Sequence, residues 1–149
     1  MNKIKVNIRH IPGNEDIPRP VYMSKHAAGV DLSAAVIKTL TLKPGKIELI
    51  PTGLQIALPN GYEAQIRPRS GLALKYGIGI LNSPGTIDAD YRGEIGIIMV
   101  NLGKKPFVIN RGDRIAQMII SKVTRAEFML KSSLPKTKRN DGGFGHTGR

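Results

Sequence analysis

Cysteine is absent from all 149 residues. That excludes disulfides, thiolate nucleophiles and the cysteine-built class of structural zinc sites. Tryptophan is also absent, and aromatics make up only 5% of the chain. The basic stripe studded with aromatics on which single-strand binders stack bases has little to be built from. No apolar run approaches the length of a membrane span, and the N-terminus lacks the apolar h-region of a signal peptide. A cytoplasmic protein is expected. The histidines His10, His26 and His146 lie far apart and make no metal-ligand spacing. Acids are few: 11 Asp and Glu stand against 23 Lys and Arg, a net charge of +12. Such a charge suits a polyanionic partner, whether nucleic acid, nucleotide or acidic surface, and equally suits a solubilising surface.

What is present reads as one β domain. The length suffices to bury a core. Ile4, Val6 and Ile8 alternate with Lys3, Lys5, Asn7 and Arg9, the period of a half-buried strand. Residues 11–22 carry three prolines and read as a loop or edge. Residues 27–35 are small and apolar around one acid, Asp31; Gly29 favours a strand in close backbone contact. Residues 40–42 run into a Lys43-Pro44-Gly45-Lys46 turn. Residues 47–58 alternate, with Pro51 and Gly53 marking a bulge or bend. Asn60-Gly61 signals a hairpin into the strand of Tyr62, Ala64 and Ile66. Ser70 is placed to cap a short helix over 72–76, with Gly77 just beyond its end. Strands are expected over 95–100, 107–109, 115–120 and 123–128. From residue 131 the chain is rich in Lys, Ser, Pro and Gly, a mobile tail over 131–149. Many short strands with Gly- and Pro-rich turns predict an all-β sandwich or barrel over 1–130.

Three stretches suggest chemistry. Residues 81–93 hold a Pro84-Gly85 turn, the acids Asp88 and Asp90, Tyr91 and a closing Gly93. Gly93 reads as a second turn glycine, and a surface hairpin with solvated acids is the plain alternative. Arg69-Ser70-Gly71 at a helix start forms an anion site. The tail sets Phe144 among four glycines, whose N–H groups can form an anion nest. Arg139 can fork onto a phosphate there and Phe144 can stack on a base. A linker would explain the glycines as well. Arg111-Gly112-Asp113-Arg114 reads as a turn leading into a strand.

Taken in order, five stretches resemble the motifs of the trimeric deoxyuridine triphosphate nucleotidohydrolases, the dUTPases. Ala28-Gly29-Val30-Asp31-Leu32-Ser33-Ala34 is similar to the first, and Arg67-Pro68-Arg69-Ser70-Gly71-Leu72-Ala73 to the second. Gly85-Thr86-Ile87-Asp88-Ala89-Asp90-Tyr91-Arg92-Gly93 is similar to the third. Arg111-Gly112-Asp113-Arg114-Ile115-Ala116-Gln117 is similar to the fourth, and the glycine-rich tail to the fifth. The resemblance implies an antiparallel, jelly-roll-like β-barrel with one short helix. It implies a homotrimer with active sites shared between subunits. It also implies hydrolysis of dUTP to dUMP and pyrophosphate, which clears dUTP and supplies dUMP for thymidylate synthesis. Magnesium would be held mainly by the triphosphate, with no membrane and no specific nucleic acid as partner.

Roles carry over by matching position. Asp88 would hold the attacking water and the sugar 3′-OH. Tyr91 would lie beneath the deoxyribose and exclude a 2′-OH. Asn82, Thr86, Ile87 and Gly96 would read uracil, largely through backbone. Arg69, Ser70, Gly71 and Gln117 would bind phosphates. Asp31 would sit near the hydrated magnesium, and Asp113 would be structural, pairing Arg69. Arg139, Gly145, His146 and Thr147 would close on the phosphates, with Phe144 over the base. Two residues depart from the family pattern. Asn140 stands where glycine is usual, and Asn tolerates positive φ second best. His146 stands where serine is usual, and its imidazole can still donate to phosphate. One rival shares the fold, a dCTP deaminase, whose third motif carries a Trp that this chain lacks. The other is a basic nucleic-acid-binding module, which the charge would suit.

Overall fold

A computed structural model of the chain describes residues 3–144. It holds eleven strands and one helix among those residues. In order they are β1 (Asn7–His10), β2 (Val30–Ser33), β3 (Leu40–Leu42), β4 (Ile47–Pro51), β5 (Leu54–Ala57) and β6 (Tyr62–Pro68). Then follow α1 (Ser70–Tyr76), β7 (Ile78–Ile80), β8 (Gly85–Ile87), β9 (Gly96–Asn101), β10 (Phe107–Ile109) and β11 (Arg114–Lys122). All pairings are antiparallel. One sheet runs β2-β11-β6-β8 and a second β4-β9-β7; β1-β5 and β10-β3 are two-stranded ribbons. The all-β, jelly-roll-like architecture follows the expectation.

Period-two alternation builds the core. On β6, Ala64 and Ile66 are buried while Arg67 is exposed; on β2, Val30 and Leu32 are buried around Asp31. On β11 the rule breaks once. Ile115 and Ala116 are both buried, and the register with β2 shifts between Arg114 and Ala116. A shift of one residue lets neighbouring side chains face the same way. Gly29 enters β2 in close backbone contact, as its position predicts. A Cβ there would lie 3.2 Å from Ile119 Cγ1 and 3.3 Å from the Met118 carbonyl.

Four local expectations need correction. Asn60-Gly61 does turn, with Gly61 at φ 82°, but it makes no hairpin. β5 pairs with β1 and β6 with β11 and β8, so the turn carries the chain from one sheet to another. Ser70 is not the helix cap. Arg69 occupies the N-cap with extended backbone and no side-chain cap bond, and Ser70 is the first helical residue. Residues 123–128 form no strand; beyond Val123 N donating to Gly61 O at 2.9 Å they join no sheet among the described residues, and they are exposed. The first strand begins only at Asn7. By contrast, Gly77 ends α1 in the left-handed conformation, and Gly53 bends the chain at φ 67° between β4 and β5.

Two side chains hold the loops. Asn101, fully buried, donates to Leu42 O at 2.8 Å and Lys105 O at 2.9 Å, and accepts from Gly103 N at 2.9 Å. It stitches the end of β3 to the single turn over 103–105. Arg111 fastens the N-terminal loop. It donates to both Asp16 oxygens at 2.6 and 2.8 Å, and to Gly13 O, Asn14 Oδ1 and Ala35 O.

Asn101→Leu keeps the volume but leaves three backbone groups unpaired. Unfolding by denaturant is expected to show a loss of at least about 3 kcal/mol, at about 1–3 kcal/mol per orphaned group. The Arg111 guanidinium holds the Asp16 carboxyl below its ordinary value of 3.8. A carboxyl lowered on folding stabilises above the unfolded value, and that contribution disappears as pH falls through the folded one. The melting temperature of Asp16→Asn is therefore expected below the parent's at neutral pH, and the gap should close in acid, below pH 3.8. A gap independent of pH would contradict the pairing.

Candidate active site

The first half of the site lies at the seam between the two larger sheets. β8 is an edge strand: its register with β6 pairs Ala64 with Ile87, Gln65 with Thr86 and Ile66 with Gly85. Its other edge is unpaired among the described residues, so backbone N–H and C=O groups stay available there. β9 lies in the other sheet, between β4 and β7. The segment 88–95 crosses from one sheet to the other. The expected hairpin is thus no two-stranded ladder, because each arm already has partners elsewhere. A cleft of about 280 Å³ opens at the seam. Asn82, Thr86, Ile87, Asp88, Tyr91 and Gly96 all line it. All of the residues assigned to the base and sugar, except Phe144, meet in this cleft.

The crossing is braced from both sides. Gln55 on β5 donates to Arg92 O at 2.8 Å, and Gly53 N donates to Glu94 Oε1 at 2.7 Å. Buried Thr52 donates to Ile95 O at 2.6 Å, and Ile95 N to Leu54 O at 2.9 Å. Within the crossing, Arg92 Nη1 donates to Ala89 O and Tyr91 O, and Tyr91 Oη donates to Glu94 O at 3.0 Å. Asp88 is exposed at the rim and has no side-chain hydrogen bond among the described residues. Its carboxylate is free to hold water. Sequence reasoning missed Gln55 and Glu94, since their partners are about forty residues away along the chain.

The second half lies on the outer face of the four-stranded sheet. Gln117 on β11 faces Asp31 of β2 on one side and Arg67 of β6 on the other. Arg69 and Arg114 lean over this row. Arg69 Nε donates to Asp31 Oδ1 at 3.1 Å and Arg114 Nη1 to Asp31 Oδ2 at 3.0 Å. The hollow is lined by three arginines, one acid and the Gln117 amide. That lining is cationic and suits phosphate oxygens. Ser70 and Gly71 sit exposed at the adjoining start of α1, outside the lining. Arg69 pairs Asp31, not Asp113 as expected. The Asp113 carboxylate is taken by its own turn, accepting from Asn110 N at 2.7 Å. Its role is structural, with a different partner.

The two halves face opposite ways. Ile66 lines the cleft, while the next residue, Arg67, lines the cationic hollow. Successive residues of a strand point to opposite faces of its sheet. As far as residue 144 the tail joins neither half in a single chain. Asn140 N bonds Thr137 Oγ1 at 2.9 Å, Gly142 N bonds Arg139 O, and Arg139 Nε donates to Gly142 O at 2.8 Å. Asn140 does adopt positive φ, 47°. Phe144 is fully exposed and touches neither lining. Gly145, His146 and Thr147 lie outside the described residues. No helix among the described residues is long and apolar enough to cross a membrane.

Comparison with known proteins gives the family and the fold. A family model described as dUTPase matches residues 15–148. The deoxyuridine 5'-triphosphate nucleotidohydrolase of Caldanaerobacter subterraneus subsp. tengcongensis is 57% identical over 145 residues, 97% of this chain and 98% of the relative. Among solved structures, the Staphylococcus bacteriophage 80alpha dUTPase with dUPNHPP superposes with a TM-score of 0.88 at 23% identity, covering 99% of this chain and 100% of that one. A mutant dUTPase from phage phi11 of S. aureus, described with a structural Mg(II) ion, reaches 0.78 at 24% identity, covering 87% and 98%. At these identities the two phage structures speak to the fold.

Proposed function

Because the chain belongs to the dUTPase family, we propose that its two half-sites are the two ends of one dUTP site assembled between chains. The chain is a hydrolase that splits dUTP into dUMP and pyrophosphate. The observation that carries the residue assignment is the seam cleft, which gathers Asn82, Thr86, Ile87, Asp88, Tyr91 and Gly96.

In this reading uracil enters between the free edge of β8 and the start of β9. Fixed backbone groups pair with it. Cytosine would leave them facing a donor where they need an acceptor, and a site with unpaired buried groups rejects such an analogue strongly. Tyr91 lies beneath the sugar and fills the space a 2′-OH would need. Asp88 at the rim orients a water and accepts its proton as it attacks the α-phosphorus in line. The cationic hollow of a neighbouring chain, with Arg69 and Gln117, neutralises the phosphates, and Ser70 and Gly71 offer donors beside it. The tail, 131–149, then closes with Arg139, Gly145, His146 and Thr147 on the phosphates and Phe144 over the base, excluding water.

Magnesium fits this site as an ion carried by the triphosphate. Among the described residues no three acids or histidines converge, so there is no protein cage for it. Both Asp31 oxygens already accept from guanidiniums, which suits contact through water rather than direct ligation. When bound, the ion would add to the charge neutralisation of the phosphates.

The same geometry supports a site completed by a second chain, and the assembly proposed is a homotrimer. One nucleotide cannot touch both faces of a sheet, so a neighbour must supply the hollow. Residues 123–130 also leave the body as an exposed arm carrying Phe128, Met129 and Leu130. Exposed apolar surface of this kind is suited to burial against another chain.

Pyrophosphate release is expected from dUTP and much less from dTTP, dCTP or UTP. In heavy-oxygen water the label should enter dUMP. Ammonia from dCTP would support the deaminase reading instead. Asp88→Asn should keep assembly and nucleotide binding while losing about 10²-fold or more in turnover. Near-normal turnover in that variant would remove Asp88 from its role.

A further inference from the structure

The Tyr91 side chain is 44% exposed, so core packing does not fix its ring. Two local contacts do. Its hydroxyl donates to Glu94 O, and its ring rests against Gly93. A Cβ built on Gly93 would overlap Tyr91 Oη and stand 2.5 Å from Cζ and 3.0 Å from Cε2. Side chains do not pack that closely. Yet Gly93 is not among the glycines at positive φ, which are Gly13, Gly45, Gly53, Gly61, Gly77 and Gly112. A left-handed φ is therefore not what calls for glycine here. The glycine stands at a bend, as the sequence reading has it, and what a Cβ there would meet is the Tyr91 ring.

Something must give if a methyl is added, and the backbone is the stiffer party. Arg92 O is held by Gln55, the Glu94 carboxylate by Gly53 N, and Ile95 by Thr52 and Leu54. The ring, half in solvent, is the softer party. It would swing away from the crossing and off its hydroxyl bond.

We propose that Gly93 is a positioning residue for sugar selection: its missing side chain is the seat that sets where the Tyr91 ring meets the sugar. This rests on the reading that Tyr91 closes the 2′ position. Gly93 acts through Tyr91 and is not itself among the residues lining the cleft. Its effect therefore falls on choice between sugars more than on the rate of the chemical step.

The test compares the full-length protein with Gly93→Ala, Tyr91→Ala and the double variant. It measures kcat/KM for dUTP and UTP, and melting temperature. Gly93→Ala is expected to lower the dUTP-over-UTP ratio at least about tenfold, the scale of a misplaced steric contact. For dUTP, KM should rise more than kcat falls. The double variant should show no further loss of the ratio beyond Tyr91→Ala, because both changes disable one element. A Gly93→Ala ratio equal to the parent's, beside a collapsed ratio in Tyr91→Ala, would overturn the seat while leaving Tyr91 its role. Losses that add in the double variant would overturn it too. An unchanged ratio in Tyr91→Ala would overturn the sugar reading itself, and the seat with it. Should Gly93→Ala fail to fold, the double variant decides. Folding without the ring shows that the ring is what the methyl meets; failure in both backgrounds shows that the backbone needs the glycine.

Discussion

Everything functional in this chain depends on the ladder between β6 and β11. Tyr62 through Pro68 pair without a break against Lys122 through Ala116. A strand paired this tightly cannot slip, because a one-residue slip would exchange its two faces. The ladder therefore fixes Ala64 and Ile66 toward the core and the cleft, and Arg67 toward the outer hollow. β8 is hung on one side of it and β11 brings β2 with Asp31 on the other. Base and phosphate ends are set back to back by the pleat of a single strand.

The second dependence is the crossing 88–95. It has no ladder of its own, so its shape is imposed by braces from residues 52–55. Pre-organised geometry of this kind lowers the ordering cost of binding. The Asp88 carboxylate at its start has no hydrogen-bond partner among the described residues, while the Tyr91 ring in its middle is held twice. A free carboxylate suits water handling and a clamped ring suits steric exclusion. The two roles differ because their surroundings differ.

Much of this was legible in the sequence. Alternation over 62–66 and 95–100 marked strands, and Gly53, Gly61 and Gly77 marked turns by the backbone angle that glycine allows. The five ordered motifs pointed to the family and to the residues that converge in the cleft. What sequence could not supply was the choice of partner. Asn60-Gly61 fixes a local angle and says nothing of the sheet each flanking strand joins. Asp31 and Asp113 are both acids near arginines in sequence patterns; the β2–β11 and β6–β11 registers together bring Asp31 to Arg69. Gln55 and Glu94 were invisible for the same reason, since their bonds link segments about forty residues apart. Residues 123–128 have the composition of a strand but need an edge to pair with, and among the described residues they join none.

The central claim is that the cleft and the hollow of one chain serve different substrate molecules. Mixed assembly tests it directly. Asp88→Asn and Arg69→Ala, each inactive alone, are unfolded together in equal amounts and refolded. A working site needs its cleft from the Arg69→Ala chain and its hollow from the Asp88→Asn chain. Random assembly into closed trimers supplies that pairing at about one site in four (½ × ½), so activity should return to about a quarter of the parent's. Mixed trimers, verified by mass, that stay as inactive as either variant alone would mean that one chain supplies both halves, and would contradict the claim.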